Sequence, residues 1–107
     1  MAKWRVTADH RVVEDLRALG RKEGRLVFET AVERLGVDPL AETRNLKTLR
    51  PNPAAQRELR LFGVYRVLFN LEENQHLVRI SAVGEKRGGS LIVRGERFTA
   101  HESDPVE

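Results

Sequence analysis

The sequence predicts an α+β domain: two antiparallel N-terminal helices packed on a twisted antiparallel β-sheet, ordered β-α-α-β-β-β with a small C-terminal β extension. Three observations lead there. Apolar residues from His10 to Leu35 recur at helical spacing, and those from Arg57 to Val83 alternate at period two. Glycine and proline fall mostly between these runs, where they act as breaks. A chain of 107 residues suits one modest domain and is short for two, and we divide it as residues 1–100 for the domain and 101–107 for an acidic tail.

Each element can be justified in turn. Trp4, Arg5 and Val6 read as a short opening strand. Thr7 or Asp9 is placed to cap a helix from about His10 to Leu19, with Val12, Val13, Leu16 and Leu19 inward and Gly20 as its stop. A second helix runs from about Glu23 to Leu35 with Val27, Phe28, Ala31, Val32 and Leu35 inward, ended by Gly36 and the pair Asp38 and Pro39. The short link makes the two an antiparallel hairpin. Residues 40–56 are irregular: Leu46 and Leu49 anchor a short strand or turn, and Pro51 and Pro53 extend the loop.

The stretch RELRLFGVYRVLFNL, Arg57 to Leu71, reads as a β-hairpin turning at Phe62, Gly63 and Val64. Its register follows from the side chains. A three-residue turn opposes Leu61 with Tyr65, Leu59 with Val67 and Arg57 with Phe69, giving one apolar face. A two-residue turn would scramble that face, and such a slip is costly when one face is buried. The favoured register sets Arg60 opposite Arg66 and Glu58 opposite Leu68 on the reverse face. A third strand, His76 to Val83, pairs Phe69 with Val78 and Val67 with Ile80, which brings Arg79 onto the face of Arg60 and Arg66. Residues 84–89 end that strand, and residues 91–99 form a small extra hairpin.

Like charges directly opposed in a sheet are destabilising, so the Arg60–Arg66 pair either splays into water on a solvated face or holds an anion between its guanidinium groups. Arginine suits phosphate because its planar fork donates bidentately and keeps its charge. Net charge is only +3, but Arg44, Lys47, Arg50, Arg57, Arg60 and Arg66 lie close along the chain, and Glu58 is the one acid between Arg44 and Arg66. That basic stretch is the footprint of a nucleic-acid or other polyanion binder, or of a protein that takes an acidic partner. Phe62 offers a ring on which a single-stranded base could stack.

The composition excludes several classes. With 40% hydrophobic and 33% charged residues the chain is ordinary globular protein. It has no cysteine, which rules out disulfides and thiolate metal sites and agrees with a reducing cytoplasm. Neither a signal peptide nor a membrane anchor is expected from MAKWRVTADHR. His10, His76 and His101 lack ligand spacing, so no metal is expected. Gly84, Gly88 and Gly89 do not form a phosphate loop, so no cofactor is expected either.

LRLFGVYRVLF from Leu59 to Phe69 and ISAVGEKR from Ile80 to Arg87, following a helix pair, resemble the RelE/ParE toxin superfamily of type II toxin–antitoxin systems. The resemblance implies two helices on a twisted antiparallel sheet, a cognate antitoxin as partner, and no metal or other cofactor. RelE-like members are messenger-RNA endoribonucleases acting on the ribosome, whereas ParE-like members inhibit DNA gyrase without cutting RNA. By position, Arg66 matches the arginine at the scissile phosphate, Arg60 a basic strand residue beside it, and Lys86 or Arg87 a further cation. The lysines that RelE carries before the hairpin fall on Gln56 and Glu58, and its C-terminal aromatic acid or base falls near Ile92.

The expected site is therefore Arg66, Arg60, Lys86 and Arg87 for charge stabilisation, with Glu58 as candidate base and His101 as candidate acid. Arg44, Lys47, Arg50, Arg57, Phe62 and Arg79 would contact RNA. The leading expectation is a ribosome-dependent, metal-free endoribonuclease that inhibits translation. The alternative is a non-nuclease gyrase inhibitor, or a catalytically decayed toxin that only binds its antitoxin. The tail could lie across Arg60 and Arg66 or stay solvated.

Overall fold

The computed structural model describes residues 3–98, so His101 and the acidic tail lie outside the described residues. Its elements are β1 (Arg5–Ala8), α1 (Val12–Ala18), α2 (Arg21–Val37), β2 (Leu46–Thr48), β3 (Arg57–Leu61), β4 (Tyr65–Glu72), β5 (Leu77–Arg87), β6 (Ser90–Val93) and β7 (Glu96–Arg97). All seven strands join one sheet in the order β2-β3-β4-β5-β6-β7, antiparallel throughout, while β1 runs parallel to β5. One edge of β5 is taken by β4. The other is shared, β1 occupying Leu77 to Ile80 and β6 occupying Glu85 to Arg87. The expected fold class is the one observed.

Helix α1 is shorter than its pattern suggested and starts without a side-chain cap. Its Val12 is buried, but Val13 is exposed, and the stripe is continued by a fully buried Asp15. Helix α2 extends to Arg21–Val37 and buries Gly24, Val27, Ala31 and Leu35. Gly24 is required where the helices meet, because a Cβ there would sit 2.4 Å from the carbonyl oxygen of Leu16. Leu59, Leu61, Val67, Phe69, Val78 and Ile80 form the facing layer and are all buried in one core with Val27, Ala31 and Leu35. Each such side chain removed from water stabilises the fold by about 1.5–3 kcal/mol. Trp4 packs at the edge of this core, 4.7 Å from the ring of His76.

The β3–β4 register is the predicted one at all five positions, including Arg60 opposite Arg66. The β4–β5 register is not. Phe69 pairs with Ile80, Leu71 with Val78 and Val67 with Val83, with a bulge at the Leu68/Phe69 step. The predicted pairing turned the chain too early. Pairing that continues to Glu72 and Leu77 lets Leu71 meet Val78, where the expected register would set it opposite His76, and a single 3-10 turn at Glu73–Gln75 closes the link. The bulge leaves Ser81 unpaired, and its hydroxyl donates to the carbonyls of Ala54 and Leu68 at 3.1 and 3.3 Å. Arg79 consequently lies opposite Asn70, and Gly84 takes the place opposite Arg66.

The reverse face is also less open than expected. Leu68 and Ala82 are buried there beneath Leu49 and Ala55, with Leu91 and Phe98 packed beside them. Strand β5 runs on through Gly84 to Arg87 because β6 folds back upon it. A Cβ at Gly84 would lie 2.4 Å from the oxygen of Ile92 and 2.8 Å from Cγ2 of Val93, so only glycine lets β6 approach. The returning hairpin is clasped to α1: Arg94 donates to Oδ1 of Asp15, whose Oδ2 accepts the backbone N–H of Val83 at 2.9 Å.

Candidate functional site

The reverse face of the β3–β4 hairpin holds a cluster of three charged side chains, Glu58, Arg60 and Arg66. Strand parity puts Glu58 and Arg60 on one side of β3 and Arg66 opposite Arg60 on β4. Glu58 is buried, and its Oε2 accepts from Nε of Arg60 at 2.8 Å and lies 3.8 Å from Nε of Arg66. One carboxylate thus serves two guanidinium groups, which relieves the repulsion that the register creates.

Arg66 is held beneath the turn. Its Nη1 donates to the carbonyls of Gly63 and Tyr65 at 3.2 and 3.1 Å, and its side chain is only 11% exposed. The Nε–H is buried and has no hydrogen-bond acceptor among the described residues. Burial lowers the Arg66 pKa from the ordinary arginine value, Arg60 adds to the lowering, and Glu58 opposes it. A desolvated cation with an unfilled donor gains from an anion, since leaving such a donor unmade costs about 1–3 kcal/mol.

Lys86 enters from β5. Its backbone N–H donates to the carbonyl of Val64 at 2.7 Å, and Arg66 pairs with Gly84, so Lys86 is the diagonal neighbour of Arg66 on the same face. Diagonal neighbours stand roughly 7–8 Å apart, within reach of long side chains. Arg87 is exposed and pairs with Glu85 at 3.3 Å, pointing its charge away from the cluster. Lys47 faces Glu58 across β2 and β3 and extends the charged row. Arg44 and Arg50 are exposed on the segments flanking β2.

Two of the expected cations are occupied elsewhere. Arg57 has the parity of the helix-facing side and is buried, where it donates to the carbonyls of Pro39 and Ala41 and to Glu42 at 2.7 Å. It pins the loop after α2. Arg79 pairs with Glu72 at 2.7 Å and with Asp9 at 3.9 Å at the other end of the sheet. The corrected β4–β5 register is what moved it. Tyr65 faces the helices, and burial with the charges of Glu23 and Glu85 raises its pKa.

Glu58 is the one carboxylate paired with Arg66 among the described residues. Ile92 lies beside Glu85 in the ladder. No group of three or more His, Asp or Glu side chains converges as a metal site among the described residues. No described helix is long and apolar enough to cross a membrane. Sequence reasoning missed the Asp15–Arg94 clasp, although an acid set between Val12 and Leu16 on an apolar stripe was its visible signal.

A helix hairpin on a twisted sheet, with paired arginines on the central β-hairpin, defines the class: the fold is that of the RelE-like toxins. It is similar to a chain of the RelBE2 toxin–antitoxin complex from Mycobacterium tuberculosis, with 28% identity and a TM-score of 0.68 over 80% of this chain and 94% of that one. No protein-family model matches the sequence. No curated protein matches it either.

Proposed function

We propose that this toxin binds a cognate antitoxin and, when released, cuts messenger RNA on the ribosome and so stops translation. The observation that carries this reading is the facing pair Arg60 and Arg66, with the buried Nε–H of Arg66 lacking an acceptor. A scissile phosphate would supply the anion that such a facing guanidinium pair favours. In the cleavage step the 2′-oxygen attacks phosphorus and the 5′-oxygen leaves, so negative charge grows on the phosphoryl oxygens. Arg60 and Arg66 would hold those oxygens, and Lys86 would neutralise the charge as it develops. Glu58, held between the two guanidinium groups, is the candidate for taking the 2′-hydroxyl proton.

The antitoxin would use both chemical features of the surface. An acidic segment fits Arg44, Lys47 and Arg60. An amphipathic helix fits the apolar groove between the helices, where Val12, Val13, Leu16 and Phe28 line the wall. Rim charges of this kind chiefly quicken association and make it salt-sensitive.

The test is expression of the wild type and of Arg66→Ala with primer extension on translated messenger. Wild type should give cleavage and growth arrest, and the variant neither, while the variant stays folded by circular dichroism. Intact messenger under the wild type refutes the nuclease reading. A second reading, inhibition of DNA gyrase, draws on Ile92 standing where RelE carries its aromatic acid or base. A supercoiling assay run in parallel distinguishes the two.

A further inference from the structure

We propose that Phe62, at the tip of the β3–β4 hairpin, is a stacking platform for a single-stranded RNA base next to the phosphate held by Arg60 and Arg66. This inference rests on the RNA reading of those arginines. Phe62 is unusual in two independent ways. Its φ is 53°, in the left-handed region that a bulky side chain adopts unfavourably. The residue is 53% exposed, so its ring recovers little by burial. Glycine or asparagine would serve this turn better, because both tolerate the left-handed backbone. A residue that strains the backbone and buries little is poorly explained by stability.

Its surroundings say what the ring could meet. Gly63 follows at φ 79°, and its carbonyl accepts from Arg66, so the guanidinium is tethered to the same turn as the ring. Arg60 lies two residues before Phe62 on β3, and Val64 is joined to Lys86 through the backbone. One turn therefore brings together an aromatic ring and three cations. Single-strand recognition uses this combination, in which cations track the backbone and an aromatic face takes a base. A protein pocket could also accept an exposed phenyl ring. The adjoining cations favour a nucleotide, whose base and phosphate are covalently linked at short range.

The experiment is fluorescence anisotropy of the purified full chain with a labelled single-stranded RNA decamer at low salt. A ribose-phosphate chain of equal length without bases is the companion probe. Phe62→Ala should weaken RNA binding about tenfold, and Phe62→Trp should restore it. On the baseless chain the wild type and Phe62→Ala should bind alike, whereas Arg66→Ala should lose affinity for both probes. Phe62→Asn should melt at or above the wild-type temperature, which separates loss of stacking from loss of fold. If Arg66→Ala weakens binding but Phe62→Ala does not, the stacking inference is wrong and the phosphate reading stands. Equal loss on both probes in Phe62→Ala also overturns stacking. If neither variant changes RNA affinity, the phosphate reading fails with it.

Discussion

Replacing Asp15 by alanine should be among the most damaging single changes outside the main core. The carboxylate is fully buried and makes two bonds, one from the backbone N–H of Val83 at 2.9 Å and one from Arg94. Removing it orphans a buried N–H, at about 1–3 kcal/mol. The bond to Arg94 adds less, because that side chain is 45% exposed and water can solvate it once freed; about 0–1 kcal/mol is appropriate. The total of about 1–4 kcal/mol is a large part of a typical domain stability of roughly 5–15 kcal/mol. At about 4–8 °C per kcal/mol for a domain of this size, the melting temperature should fall on the order of 10–20 °C. Asp15→Asn, which keeps an acceptor for Val83, should fall roughly half as far. Thermal unfolding followed by circular dichroism reads both. A double-mutant cycle with Arg94→Ala should show coupling of about 0.5 kcal/mol or more. An Asp15→Ala protein melting within about 4 °C of the wild type would refute the clasp as a stabilising contact.

Gly84→Ala should force β6 away from β5, since its Cβ would meet Ile92 at 2.4 Å; overpacking of this kind costs typically about 1–3 kcal/mol, and an unchanged urea midpoint would contradict it. Glu58→Gln should expose the repulsion between Arg60 and Arg66, lowering stability while making inorganic phosphate a stronger stabiliser than it is for the wild type. Equal phosphate response in melting experiments would count against an anion site between them. Tyr65 has a raised pKa, so its neutral form is favoured in the folded state. That contribution is fully present below the unfolded value of about 10 and is lost as pH rises through the folded pKa. Alkaline melting curves of Tyr65→Phe should therefore decline less steeply above about pH 10 than those of the wild type, and identical slopes would argue against the shift.

How far the chain could be read in advance follows from the range of the interactions involved. The β3–β4 register is local: five positions on each side of a three-residue turn, with one apolar face, admit a single sensible pairing, and Arg60 opposite Arg66 follows from it. The helix pair and the six core residues of the hairpin and third strand were equally legible, because periodicity states which face is buried. Arg57 had helix-side parity in that same pattern, and its burial against Pro39, Ala41 and Glu42 accords with it. Its basic charge alone had suggested RNA.

Only the assembled molecule decided the rest. Alternation allows β5 to slide by two residues without exposing its apolar face. The choice was made by the pairing of Leu71 with Val78 and by a bulge at Ser81. That slide separated Arg79 from Arg66 and placed Gly84 there instead. Burial of Leu68 and Ala82 depended on residues 49–55 and 91–98 returning across the reverse face. The Asp15–Arg94 contact joins residues 79 positions apart. Parity along a strand is carried by covalent geometry and can be read from neighbours. Which distant segment closes over a face depends on competition among loops and packing partners, and that competition is resolved only when the whole domain folds.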